Sequence, residues 1–266
     1  MILDKVYKVY VYFMYFFILI PLIIIVGTSF SESQFVTFPP QGFSLKWFVT
    51  VLTSYEWMFA FFLSGVLALV AMSIAIVVSL PAAKALAKHK VQVGGRDIGV
   101  TLRTFFLSPI VIPMIVFGIG IAITLQTLGL YGTFPGLVIG HLIIVVPYML
   151  RSLIVSFEGI PDSVEEAAIT LGATPVKTFF SVTLPLAKSG LIAGSLFSFI
   201  WSFENVTVSI FLSVPGMTPL PIRMWGYLSE FADPSLCAVA TIFIVIAFGV
   251  FIAVYRRMGK ASMFAV

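Results

Sequence analysis

EEAAITLGATPVKTFFSVTLP, residues 165–185, is a short polar stretch set between two long apolar ones. Glu158 and Asp162 stand just before it, so acid gathers here in a chain with only 10% charged residues. Asp162 is placed to cap a helix beginning PDSVEEAA, and Glu165, three residues on, completes a capping box. Asp162, Glu165 and Glu166 share the expected first turn, where the helix dipole favours negative charge. Ala167, Ala168, Ile169 and Leu171 carry the helix on, and Gly172 ends it. Thr174 and Pro175 start a second helix as cap and first-turn residue, and Pro185 follows. The stretch reads as helix, sharp glycine turn, helix.

The flanking segments place this polar insert on a membrane surface. Hydrophobic residues are 60% of the 266, Phe alone numbers 27, and the mean hydropathy is +1.13. So much apolar surface cannot be hidden in a water-soluble core. Six stretches reach the length of about 20 residues that a bilayer requires. They run roughly over Tyr7–Gly27, Trp57–Leu80, Thr104–Leu128, Pro135–Phe157, Ser189–Leu212 and Pro234–Tyr255. The expectation is an all-α integral membrane protein with six transmembrane helices in one domain, residues 1–266. The polar loop occupies about 158–188. Lys5 and Lys8 before the first apolar run imitate a signal peptide, but the run is longer than a signal core and five spans follow. It is read as a retained helix, with Pro21 as a candidate kink.

Basic residues set the expected orientation. Lys5 and Lys8 precede span one, and Lys84, Lys88, Lys90, Arg96 and Arg103 fall between spans two and three. Arg151, Lys177 and Lys188 lie at or between spans four and five, and Arg256, Arg257 and Lys260 follow span six. Of the 15 basic residues only Lys46 and Arg223 fall on the other side. The positive-inside rule then puts both termini and the polar loop in the cytoplasm. The net charge of +4 and pI of about 9.2 express this topology and carry no argument for nucleic acid.

Between the spans, Pro39-Pro40-Gln41-Gly42 and then SLKWF predict a turn and an interfacial helix, with Trp47 and Trp57 at headgroup depth. The basic segment Ala82–Arg103 turns at Gly94-Gly95, and its cations suit anionic lipid headgroups. Pro109, Pro113, Gly118 and Gly120 break span three, which fits either a packed, pore-lining helix or a plain kink. Cys237 is the single cysteine, so no intrachain disulfide forms. His89 sits in the basic segment and His141 in span four. No metal constellation, phosphate loop or GxSxG or HExxH motif is present.

Span five carries the most information. Gly190, Gly194, Ser198, Ser202, Asn205 and Ser209 recur at helical spacing as one small, polar stripe. Such a stripe serves close helix packing or a pore wall, and the sequence leaves both open. The opposite face holds Phe197, Trp201, Glu204, Val208 and Phe211. Glu204 is the one acid inside an expected span, where a carboxylate faces a cavity or a partner. Aromatics beside one carboxylate suit an organic cation; a glutamate bonded to a neighbouring helix is the competing reading.

The loop spacing, Glu166-Ala167-Ala168, three residues, Gly172, nine residues, then Val182-Thr183-Leu184-Pro185, resembles the EAA loop of ABC importer permeases, with Val182 in place of Ile. Ser202–Trp225, SFENVTVSIFLSVPGMTPLPIRMW, is similar to the matching stretch of the spermidine/putrescine (PotC-like) permeases of the type I, MetI-like class. Many of those carry two adjacent aspartates where this chain has Glu204-Asn205, which halves the local negative charge. The resemblance covers essentially the whole chain, but only these two regions are specific.

What the resemblance implies is a permease subunit in a bacterial inner membrane. A second permease subunit, a homologous hetero-partner, completes the pathway. Two ATP-binding subunits, which use ATP and Mg, dock below, and a periplasmic or extracellular binding protein delivers substrate. This chain binds no cofactor itself and hydrolyses nothing. Glu165, Glu166, Ala167, Ala168, Gly172, Leu184 and Pro185 are the expected ATPase-coupling residues. Glu204, Trp201, Asn205, Phe197 and Phe211 are the expected pathway. The implied substrate is a polyamine or related amine, with amino acids or opines, phosphonates and oxyanions as rivals. Two other classes compete: a secondary transporter or channel working alone, and an intramembrane enzyme built on Glu204 and His141.

Overall fold

The computed structural model of the chain describes residues 2–88, 92–93, 96–231 and 233–258. The expectations placed on His89, Lys90, Gly94, Gly95 and Lys260 lie outside them. The described chain is helical nearly throughout. Its one ladder is β1 (Gln92–Val93) antiparallel to β2 (Arg96–Asp97), with Gln92 opposite Asp97.

Three helices are each long and apolar enough to cross a membrane: α1 (Ile2–Ser29), α3 (Tyr55–Lys88) and α6 (Phe134–Glu158). Short α2 (Lys46–Thr53) precedes α3, where a short helix is expected. Pro21 lies within α1 without ending it. At 34 residues α3 is about 51 Å long, well beyond a hydrocarbon core of about 30 Å. Its last turns carry Lys84 and Lys88.

Spans three and five are broken helices. In span three, α4 (Gly99–Leu107) passes through a 3₁₀ turn, Ser108–Ile110, before α5 (Met114–Thr127), with a bend of 96°. Pro109 and Pro113 cause this break, because proline donates no N–H and disfavours helix in the residue before it. After α6 come α7 (Asp162–Thr170), α8 (Pro175–Thr178), a π turn over Phe179–Thr183 and α9 (Leu184–Leu186). A bend of 71° then leads into α10 (Lys188–Phe203). The expected span Ser189–Leu212 is thus not one helix: α10 stops at Phe203, and α11 (Ser209–Leu212) follows a turn in which the Asn205 side chain accepts from the Val208 N–H at 2.8 Å. α12 (Leu220–Glu230) and α13 (Ser235–Met258) complete the chain, and α13 holds a shorter apolar stretch, Ser235–Gly249.

The chain divides into two compact units. One holds the described residues of 1–59 and 223–257, the other those of 60–222 and 258–266. In the first unit Phe30 lies against Phe43 and Phe48, at 5.4 and 4.9 Å between ring centres, and the Trp47 indole donates to the Ser31 carbonyl. Trp57 is 3% exposed, with Tyr227 5.2 Å from its ring and the Arg223 guanidinium, paired to Glu56, over its face.

The core of the second unit is the antiparallel packing of α10 along α6. Ser152 donates to the Gly190 carbonyl at 2.8 Å and Ser156 to that of Ala187 at 3.3 Å. Ser198 donates to the Val145 carbonyl, and buried His141 lies 2.8 Å from Ser202 Oγ and 3.1 Å from Ser209 Oγ. A Cβ at Gly190 would lie 2.7 Å from the Ser152 carbonyl, and one at Gly194 2.8 Å from Met149 Sδ. The small polar stripe is therefore buried against α6 and its neighbours. Here the structure selects helix packing over a pore wall.

Candidate functional site

The loop after α6 folds as helix, turn, helix, but its acids do not cap it. The N-cap of α7 is Pro161, with no side-chain cap bond, so the expected Asp162–Glu165 capping box is absent. Proline at that position leaves Asp162 inside the first turn, where an external cation claims it. Lys88 Nζ lies 2.8 Å from Asp162 Oδ1 and also donates to the Ile160 carbonyl. Lys84 Nζ lies 3.0 Å from Glu165 Oε2, while buried Thr183 donates its hydroxyl to Glu165 Oε1 at 2.8 Å. Arg103 pairs with Glu158 at 2.6 Å and donates to the Leu86 carbonyl. These three cations, assigned to lipid headgroups from sequence, instead hold the acids of the loop.

Burial alone would raise the Glu165 carboxyl, but the Thr183 hydroxyl and the Lys84 ammonium outweigh it and hold the group below its ordinary value of 4.5. A depressed acid stabilises the fold fully above the ordinary value, and that contribution is lost as pH falls through the lowered one. At neutral pH the Glu165 carboxylate is ionised.

The turn itself follows the sequence reading. Gly172 has φ +89°, its N–H bonds the Ile169 carbonyl, and the Ala173 N–H bonds that of Ala168, a Schellman ending. Thr174 caps α8 by accepting from the Lys177 N–H. The outer surface of the loop is more apolar than acidic. Leu171 is 90% exposed, and Ile169, Val176 and Phe180 are exposed beside it. Glu166 and Ala167 share that exposed side; Glu165 and Ala168 are half-buried, as is Leu184, with Pro185 exposed.

A cavity of about 940 Å³ runs along α6 and α10 within the second unit. At one end Glu204, Trp201 and Phe197 line it, with Tyr148 5.2 Å from the Trp201 ring. At the other end it reaches Pro161, Leu186 and Val164 of α7. Glu204 is the C-cap of α10, and among the described residues its carboxylate has no ion-pair partner. Three of the five expected pathway residues thus meet at one place. Asn205 is buried in the turn after α10, and Phe211 packs over Gly118 of α5. His141 is tied to Ser202 and Ser209 and does not line the cavity of Glu204.

Sequence reasoning missed Arg151, Tyr148 and Thr183. Arg151 lines the same cavity as Glu204, yet was counted only for topology. Its signal was available: a cation inside an expected span is costly and faces a cavity by default. Thr183 had none, since only the fold brings it to Glu165, 18 residues earlier.

Broken apolar helices, a polar helix–turn–helix loop between α6 and α10, and a cavity reaching the start of that loop are the features of a membrane protein of the transport class. The chain belongs to the family of binding-protein-dependent transport system inner membrane components, which matches residues 93–261. It is a permease subunit of the type I ABC importer class, a class that works as a complex with other subunits. It is 29% identical over 233 residues to the putrescine transport system permease protein PotI of Escherichia coli (strain K12), covering 85% of this chain and 81% of that protein. It is 28% identical to the spermidine/putrescine transport system permease protein PotC of Haemophilus influenzae, covering 87% and 88%. Its fold is similar to a chain of a bacterial ABC transporter involved in the import of the acidic polysaccharide alginate, with TM-score 0.74, 20% identity and 97% of each chain covered.

Proposed function

We propose that this chain forms half of the pathway of an importer for a polyamine or a related small amine. The observation that carries the reading is the single cavity joining an unpaired carboxylate, Glu204, to the loop segment Pro161–Val164. An organic cation entering beside Glu204 meets the faces of Trp201 and Tyr148, which add cation–π attraction to the charge contact. The names of the two relatives support the amine class.

The loop is the coupling element. Its exposed apolar tip, Leu171 with Ile169 and Val176, seats in a groove of a partner ATPase, with Glu166 at the edge. Glu165 ties α7 to the π turn behind that tip by accepting from Thr183, and Ala168, Leu184 and Pro185 complete the coupling set. ATP and Mg are used by the two partner ATPases; a second, homologous permease closes the open side of the cavity. A binding protein outside the membrane delivers the substrate. The loop and both termini are cytoplasmic in a bacterial inner membrane. Movement of α7 reshapes the cavity directly, because Val164 is part of its wall.

The test is uptake of labelled putrescine by cells carrying the whole transporter. Gly172→Val places a β-branched residue at φ +89°, a strain of about 1–3 kcal/mol, and Glu166→Lys reverses the exposed charge. Both abolish uptake while the protein stays in the membrane. Near wild-type uptake in both variants rejects the coupling role; absence of putrescine uptake in the wild type, with another solute imported, rejects the amine.

A further inference from the structure

The loop is joined covalently to α6 and α10 but not to α3, which ends 74 residues before Asp162 in the chain. Three cations bridge that gap. Lys84 and Lys88 from the end of α3, and Arg103 from α4, all reach the segment Glu158–Glu165. They are not equivalent. Asp162 is 74% exposed and Glu158 43%, so solvent screens the acid of each pair, although Lys88 is itself only 9% exposed. Lys84 and Glu165 are only 20% and 19% exposed.

The Glu165 carboxylate is also shared. One oxygen takes the Thr183 hydroxyl, which is fully buried in the π turn after α8, and the other takes Lys84. The Lys84 ammonium in turn lies 5.1 Å from the centre of the Phe179 ring, in that same π turn. One carboxylate and one ammonium thereby join three elements: α7, the π turn and α3.

We propose that Lys84 and Glu165 form a clasp that transmits displacement of the loop to α3. Glu165 is then an internal positioning residue, and Glu166 is the carboxylate presented to the partner ATPase. The two adjacent glutamates divide the work by geometry: Glu165 turns into the fold and Glu166 faces out. Without the clasp, the tie between α7 and α3 is reduced to Lys88 with Asp162 and the Ile160 carbonyl, and α3 follows the loop less. The proposal rests on the coupling reading of the loop.

The experiment uses the whole transporter in proteoliposomes, with its binding protein added. Two quantities are read: co-purification of the ATPase subunits, which reports docking, and stimulation of ATP hydrolysis by the binding protein, which reports transmission across the membrane. Neither needs the identity of the substrate. Lys84→Met keeps the ATPase subunits but lowers the stimulation about two- to thirtyfold, the span expected for a mutation within a coupling network. The double variant Lys84→Glu with Glu165→Lys restores most of it, which a merely structural role for either side chain does not predict. Wild-type stimulation in Lys84→Met, or a charge swap no better than its single variants at equal membrane level, overturns the clasp. Should Lys84→Met fail to reach the membrane, Glu165→Gln keeps the Thr183 bond, loses only the ion pair and carries the same expectation. Leu171→Asp separates the two readings. If it retains the ATPase subunits, the coupling reading falls; if it loses them while Lys84→Met is fully stimulated, the clasp alone falls.

Discussion

Glu204 stands at the C-terminal end of α10, where a helix dipole already disfavours an anion. The carboxylate is nonetheless exposed to the cavity without a basic partner among the described residues. Such a group gains most when a cation arrives, because a charge contact and a dipole penalty are settled together. Glu204→Gln keeps the shape and removes the charge. Uptake of a cationic solute falls about tenfold, equivalent to about 1.4 kcal/mol, while membrane level and basal ATP hydrolysis stay near wild type. Unchanged uptake rejects the pathway role, and loss of the protein from the membrane makes Glu204 a structural residue. Arg151 lines the same cavity wall, and the α6–α10 register sets its backbone about 19 Å of helix from that of Glu204.

At the scale of elements, α6 and α10 act as one body. Their contact depends on glycine at 190 and 194 and on three serines donating to facing carbonyls, Ser152, Ser156 and Ser198. Lipid supplies no hydrophobic drive between helices, so close backbone approach and these bonds hold the pair. Gly190→Val forces the new side chain against the Ser152 carbonyl and Ser156. Overpacking of this kind costs about 1–3 kcal/mol. The thermal midpoint of the purified transporter falls, and uptake falls with the amount of folded protein rather than per molecule. A variant as stable as the wild type excludes tight packing at this position. The breaks after Leu186 and Phe203 fall at the cavity, which Leu186 and Glu204 line.

At the scale of the whole molecule, the positive-inside rule predicts from lysine and arginine that the polar loop and the Gln41 turn lie on opposite membrane faces. Single cysteines test this in a background with Cys237, the one native thiol, replaced by serine. Thr174→Cys reacts with a membrane-impermeant thiol reagent only after the cell is opened. Gln41→Cys reacts in intact cells with a permeable outer membrane. The reverse pattern overturns the orientation. Thr174 and Gln41 are both exposed, so labelling reports sidedness rather than burial.

The membrane class, the helix–glycine–helix turn and the family were legible because each is written in local chemistry. Apolar length, Gly172 at a positive φ, and Thr174-Pro175 as cap and first turn need no distant partner. The stripe from Gly190 to Ser209 was legible as a pattern, but not its purpose, since packing and pore lining demand the same small residues. Where local rules competed with distant charges, tertiary structure decided. Asp162 and Glu165 had a plausible cap to make, yet Lys88, Lys84 and Thr183 take them. A capping box satisfies orphan N–H groups that water can also satisfy at an exposed turn. A half-buried carboxylate has no such substitute for a cation and a hydroxyl, so it is the long-range contact that prevails.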